Sequence, residues 1–302
     1  MSFVQRRIEV AVKLAPGGKT NQPTTFSESG TDTVTLAGSR TSVRIQNSGA
    51  PAGSTASVSI WGMTPSLMNQ LSTLGLVFNI VPRNTITIAA GNLGSRLATV
   101  FSGTIVGAYG DYNSAPDGPF RFECNAGLAD AVAPAIASSF TGAADVAQIM
   151  SGFARQMNLG FENNGVQLQL SNPYFAGSVM TQMRACADHA NINAEIINGT
   201  TLAIWPKGGA RDTSNIPLVS KETGMIGYPA YTQQGIIVNT LFDPQIAFGG
   251  MVQVESSLEK AAGKWAVQKL DLALDAQVPR GQWKSTIYGY NPNYPRPIPP
   301  AG

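Results

Sequence analysis

Arg6-Arg7-Ile8-Glu9-Val10-Ala11-Val12-Lys13-Leu14 decides the fold class. Ile8, Val10, Val12 and Leu14 alternate with Glu9, Ala11 and Lys13, and a period of two puts every second side chain on one face of a half-buried strand. Similar short runs follow at residues 33–46, 55–61, 85–90, 97–108 and 119–125, with Gly, Asn, Ser and Pro between them. The first 130 residues therefore read as an antiparallel barrel or sandwich. Beyond residue 211 the segments 235–242, 250–257, 264–274 and 282–290 are again β-rich, with Trp265, Val267 and Trp283 as large apolar bodies. A second β-domain over 211–290 follows.

One helix interrupts the first series, at residues 64–74. Thr64 suits the N-cap, Pro65 the first helical position, and Gly75 a left-handed C-terminus. Leu67, Met68, Leu71 and Leu74 share one face of it. That stripe serves either the chain's own core or a contact between subunits, and it is the candidate subunit interface. Between the β-domains the period changes. Val146, Ile149, Met150, Phe153, Ala154 and Met157 predict a helix capped by Thr141 and ended near Asn158 to Gly160. A hairpin is expected across Asn163-Asn164-Gly165, a second helix at about 177–190, and another hairpin across Asn198-Gly199, joining 192–197 to 201–205. Residues 140–207 thus read as a small α+β module of helix, hairpin, helix, hairpin.

The two β-domains carry an echo of each other. Pro116-Asp117-Gly118-Pro119-Phe120 and Pro279-Arg280-Gly281-Gln282-Trp283 share Pro-x-Gly-x-aromatic between two strands, and each follows an Asp, Asp111 and Asp275. One such match is weak, since Pro and Gly are the commonest turn residues. The tail 291–302 carries Pro292, Pro295, Pro297, Pro299 and Pro300, so an extended segment is expected there.

Charge patterning removes several classes of function. Charged residues make up 13% of the chain, against roughly a quarter in an average soluble domain, and the net charge is +2. A dedicated nucleic-acid binder needs a basic patch that this balance does not supply. No apolar stretch approaches the roughly 18 residues that span a bilayer, so a soluble chain is expected. Glu9 and Lys13 break what would be the apolar part of a secretion signal, which places synthesis in a reducing cytoplasm. Cys124 and Cys186, the only cysteines, then read as small buried apolar residues rather than a disulfide or a metal site.

No catalytic constellation emerges. His189 is the single histidine; without a Gly-x-Ser-x-Gly elbow it reads as a solvated or capping residue at a helix end. Gly17-Gly18-Lys19-Thr20 lacks the first glycine of a phosphate-binding loop, because Lys13 stands there. Asp111, Asp117, Glu123, Asp243 and Glu255 lie beside turns or on strands, where solvation or turn hydrogen bonding explains them. No enzyme, cofactor or metal is expected.

From residue 172 onward a set of motifs accumulates in order: Asn172-Pro173-Tyr174-Phe175-Ala176-Gly177, Ile204-Trp205-Pro206-Lys207, Gly224-Met225-Ile226-Gly227-Tyr228-Pro229, Leu241-Phe242-Asp243-Pro244, Glu255-Ser256-Ser257-Leu258 and Gly263-Lys264-Trp265-Ala266-Val267. With Gly62-Met63-Thr64-Pro65-Ser66-Leu67-Met68-Asn69-Gln70-Leu71 and Val100-Phe101-Ser102-Gly103-Thr104-Ile105 earlier, the chain resembles the baseplate hub proteins of tailed bacteriophages. The resemblance implies a homotrimer in which each subunit carries two barrels like the tail-tube protein, so that three subunits adapt a sixfold tube to a threefold spike. Implied partners are the tube or distal tail protein above, the central spike below, wedge proteins around the ring and a tape-measure protein in its lumen. The place implied is the virion tail, with no sequence-specific nucleic acid and no membrane segment. Leu272 stands where relatives often have His, and the length leaves no room for a fused lysozyme or peptidase. Two alternatives stand beside this reading: a tail-associated cell-wall hydrolase or glycan-binding module, and the hub of a type VI secretion or pyocin spike.

Overall fold

A computed structural model describes residues 5–15, 25–26, 29–49, 53–73, 84–127, 135–213 and 215–291. In the first part of the chain the strands are β1 (Arg6–Lys13), β2 (Thr33–Ala37), β3 (Thr41–Asn47), β4 (Ser54–Ile60), β5 (Thr85–Asn92), β6 (Ala98–Gly110) and β7 (Phe120–Asn125). The alternation read in β1 is physical: Ile8, Val10 and Val12 are buried, and the residues between them are not. Helix α1 (Pro65–Leu71) starts as expected, with Thr64 Oγ1 accepting from the Leu67 N–H. It stops at Leu71, because the backbone of Ser72 turns extended at ψ 130°, while the Ser72 N–H and Oγ both bond the Met68 carbonyl. The expected last turn does not form at Ser72 and Thr73, and Leu74 and Gly75 lie outside the described residues.

The middle of the chain contains β8 (Ser138–Ser139), β9 (Ala143–Asp145), α2 (Val146–Gln156), β10 (Gly160–Asn163), β11 (Gln169–Ser171), β12 (Tyr174–Phe175), α3 (Val179–His189), β13 (Ile192–Ile197) and β14 (Thr201–Pro206). The two helices cover a three-stranded sheet of order β10-β14-β13 and share an apolar cluster with it that includes Val146, Met150, Phe153, Met183, Cys186 and Leu202. Each helix ends on an Asn in the left-handed region, Asn158 at φ 55° and Asn191 at φ 50°, a standard way to satisfy terminal carbonyls.

Two expectations for this module need correction. The cap of α2 is Asp145, whose Oδ1 accepts from the Gln148 N–H, while residues 143–145 are drawn into a short ladder with β11; Thr141 lies upstream of both. The hairpin across Asn163-Asn164-Gly165 does not form. Asn163 closes a turn on Val166 through both its side-chain oxygen and its nitrogen, and β10 runs parallel to β14. Between the helices the chain therefore runs through β10, β11 and β12 without a hairpin, and the hairpin follows α3. The second hairpin is as read, with Asn198 at φ 50° and Gly199 at φ 70° forming the tight turn.

The last strands are β15 (Leu218–Val219), β16 (Met225–Thr232), β17 (Gly235–Leu241), β18 (Met251–Val254), β19 (Gly263–Ala276) and β20 (Trp283–Tyr290). Among the described residues the two β-rich parts form one thirteen-stranded sheet, ordered β16-β17-β20-β19-β3-β4-β7-β6-β5-β1-β2, with β18 on β19 and β15 on β18. One apolar cluster runs through both parts, from Val10, Phe101 and Phe122 to Val238, Leu272 and Ile287.

Candidate functional site

The strand order repeats within the chain. In the first half a hairpin, β3-β4, is followed by β5, β6 and β7, which assemble as β3-β4-β7-β6-β5; in the second, the hairpin β16-β17 is followed by β18, β19 and β20, which assemble as β16-β17-β20-β19-β18. Cross-strand partners run through both sets, although the β16–β17 ladder shifts register between Ile226 and Ala230 where β3–β4 is continuous. Val43 faces Val58, Val58 faces Phe122 and Phe122 faces Ala108; Met225 faces Thr240, Thr240 faces Ser285 and Ser285 faces Leu272.

The Pro-x-Gly-x-aromatic motifs occupy the same corner of this repeat. Each lies between the longest strand of its half and the next: β6 to β7, and β19 to β20. Asp111 N–H donates to the Pro119 carbonyl at 2.9 Å, and Asp275 N–H to the Gln282 carbonyl at 2.8 Å. The motif glycine lies hard against that aspartate: a Cβ on Gly281 would come within 2.6 Å of the Asp275 Cβ, and one on Gly118 would collide with the Asp111 carbonyl. Both carboxylates are ion-paired, Asp111 with Arg121 and Asp275 with Arg44. Burial acts to raise the Asp275 carboxyl. Arg44 at 2.7 Å, Ser42 Oγ at 2.7 Å and the Gln282 N–H at 2.7 Å outweigh it and hold the group below the usual carboxylate range.

Asp275 marks the junction of the two halves. Leu270–Ala276 of β19 pairs with Thr41–Asn47 of β3, Leu270 opposite Asn47 and Ala276 opposite Thr41. The middle module is tied to this frame at several points. Arg211 forks onto Glu162 at 3.0 and 2.8 Å and donates to the Phe248 carbonyl at 3.0 Å, and those hydrogen bonds hold the Glu162 carboxyl below its ordinary value against the opposing effect of burial. Trp205 stacks edge-on against Phe248 with centroids 6.3 Å apart, Tyr290 Oη donates to the Gly209 carbonyl, and Gly199, at the hairpin tip, lies against the Ser102 carbonyl of β6.

The candidate interface residues fall as follows. Leu67 and Leu71 are buried in the chain's own core, and Met68 is half-buried against it; Leu74 lies outside the described residues. Of the titratable groups singled out in the sequence, Glu255 is exposed just past β18 and the others are held in local contacts. Asp117 pairs with Arg40, Glu123 accepts from Ser57, Asp243 accepts from the Gln245 N–H, and His189 ends α3 with its ring 5.7 Å from Phe175. Cys124 and Cys186 are buried and unpaired with each other. An open groove of about 830 Å³ beside α2 carries Asp145 as the one carboxylate among its described lining residues, and that carboxylate is the α2 cap. Among the described residues no cluster of three metal-ligating side chains occurs, and no helix is long and apolar enough to cross a membrane.

What sequence reading missed is the exposed face of β16, where Ile226, Tyr228 and Tyr231 project into solvent. Gly227 and Pro229 interrupt its strand pattern and hid it.

Comparison with known proteins agrees with this architecture. The model of a family described as baseplate hub gp41 matches residues 24–278. No curated protein matches. Among solved structures, the chain is similar to a 43 kDa tail protein of prophage MuSo2 from Shewanella oneidensis, with TM-score 0.60 and 9% identity over 96% of this chain and 99% of that one. It is similar to a tail protein from Neisseria meningitidis MC58, with TM-score 0.61 and 8% identity over 94% and 96%. It is also similar to the Escherichia coli c3393 protein, described as a component of the type VI secretion system, with TM-score 0.54 and 10% identity over 86% and 76%. At these identities the likeness is one of fold.

Proposed function

The chain belongs to the baseplate hub gp41 family, and from that membership we propose that it is the structural subunit of a homotrimeric ring that joins a sixfold tail tube to a threefold spike. The observation that carries this reading is the repeat of strand order in the two halves, with the same Pro-x-Gly-x-aromatic corner in each. A ring of three copies then offers six equivalent units to the tube on one side while keeping three modules on the other. We read each unit as a tube-like barrel domain, with residues 140–207 as a small α+β module between them.

The ring encloses a channel for DNA and a tape-measure protein. A net charge of +2 on 302 residues suits such a wall, because a basic lining would grip phosphates by counterion release. Spike, tube or distal tail protein and wedge proteins are the proposed neighbours, and assembly into the virion tail follows synthesis in the host cytoplasm. No catalytic step is proposed. The helix α1, held to the core by Leu67 and Leu71, is proposed to lie at the junction between copies.

Native mass measurement tests the reading. A species of three times the 31.7 kDa chain mass, or a three-copy ring in a cryo-EM map of the tail tip, is the expected result; a chain that stays monomeric up to its solubility limit and in the assembled tip contradicts it. Exposure of peptidoglycan to the purified protein should give no clearing.

A further inference from the structure

Left-handed backbone singles out one corner of the β frame. Apart from glycines, the described residues at positive φ are Asn158, Asn172, Asn191, Asn198, Gln277 and Arg280. Asparagine enters this region readily, whereas a glutamine or an arginine at φ 56° is strained, and strain of this kind is retained where the side chain is needed. Both strained residues stand in the turn from β19 to β20. Gln277 lines a cleft of about 160 Å³, where that turn meets the start of β1, Gly38 and Ser39 after β2, and Leu93 after β5. Arg6 and Arg7 lie along the same cleft.

No carboxylate is among the described residues that line the cleft. The nearby ones are committed elsewhere: Glu9 to Arg7 at 2.6 Å, and Asp275 to Arg44, Ser42 and the Gln282 N–H. Arg6 and Arg280 are exposed, and neither has a carboxylate partner among the described residues. The Arg6 guanidinium sits 5.4 Å from the centre of the Trp283 ring, a contact that holds it in place and reduces the entropy lost when it binds. We infer that this cleft docks a carboxylate-bearing segment of a partner protein. The Arg6 guanidinium and the Gln277 amide hold the carboxylate, and Arg280 adds charge from the same turn. A planar guanidinium offers a carboxylate paired donors, and Leu93, 46% exposed, adds an apolar contact. A nucleic-acid backbone fits less well, because two free guanidinium groups fall short of the roughly six to ten phosphate contacts of a duplex binder. The cleft lies within one chain, so its assignment goes beyond the ring reading and does not depend on it.

Fluorescence anisotropy of a labelled hexaglutamate peptide with the full chain at low salt tests the site. The wild type should bind saturably, and the double variant Arg6→Gln, Arg280→Gln should bind at least about tenfold more weakly, the scale of a lost charge-assisted hydrogen bond. Both arginines are exposed, so the variant should keep its melting temperature. Gln277→Gly separates function from structure. Glycine relieves the backbone, so this variant should melt no lower than the wild type and still bind hexaglutamate more weakly; a glutamine with only a structural role would leave binding unchanged. If hexaglutamate does not bind the folded wild type, or binds the double variant equally well, the assignment falls. A short DNA duplex that binds more tightly than hexaglutamate, and loses its grip in the same variant, gives the cleft to phosphates instead. A double variant that turns an oligomeric wild type into monomer by native mass makes the occupant a second copy of this chain and overturns the assignment to a different protein. A wild type that is monomeric and still binds hexaglutamate contradicts the ring and leaves the cleft standing.

Discussion

Asp275 concentrates the energetics of the junction in one side chain. It is 6% exposed and accepts from Arg44, Ser42 and the Gln282 N–H, an arrangement worth having only while the carboxylate is ionised. Asp275→Asn should cost about 2 kcal/mol at neutral pH, the scale of hydrogen bonds to a charged group, read as a fall in the denaturant midpoint. The sign with pH follows from the lowered carboxyl. Its contribution is complete above the ordinary carboxylate value near 3.8 and is lost as pH falls through the lower folded value, so the wild type should weaken on acidification below about pH 4 while the Asn variant weakens less. Equal acid sensitivity of the two proteins would remove Asp275 from the account. Arg211 is the matching residue for the module: it forks onto Glu162 and is 10% exposed at its side chain. Arg211→Ala should destabilise by about 3 kcal/mol because it leaves a partly buried carboxylate unpaired, and Arg211→Lys should recover only part, since an ammonium lacks the fork. Thermal melts of the three proteins give the ranking.

Helix α1 and the two long hairpins show what each element needs. Leu71 is 2% exposed in the core under α1, so Leu71→Asp puts an unpaired charge where no partner waits and should leave the protein unfolded or aggregated; an unchanged melting temperature would show that the stripe faces elsewhere. Gly118→Ala and Gly281→Ala should each destabilise by at least about 1 kcal/mol, because both glycines touch the aspartate that closes their hairpin. At this scale the sequence was legible wherever the signal was local. The alternation in β1, the cap of α1, the Asn-Gly turn between β13 and β14 and the shared Pro-x-Gly corners all depend on residues a few positions apart. Reading failed where a distant partner decided. Asn163-Asn164-Gly165 has hairpin composition, but β14 takes β10 in parallel; Thr141 is a good cap, but β11 draws residues 143–145 into a ladder first. β16 was missed because Gly227 and Pro229 break the very pattern that marks a strand.

For the whole molecule the decisive contact, Leu270–Ala276 on Thr41–Asn47, joins residues more than two hundred positions apart, and nothing in a single sequence announces such a register. It makes the two halves one cooperative sheet. Amides of β3 and of the second part of β19 should therefore fall in the slowest hydrogen-exchange class together, with no denaturant range in which one half opens alone; separate opening would show the halves to be independent. The candidate site was legible to the same extent. The helix stripe was visible, and Leu67 and Leu71 of it pack in the chain's own core, while the exposed tyrosines of β16 had no period to betray them. The shared strand also has a mechanical consequence. β19 belongs to both halves, so a pull that drags one half past the other along the strand direction loads its whole row of backbone bonds to β3 at once, in shear. Only a peeling force would break them one by one, which makes the subunit stiff along the strands and weakest at right angles to them.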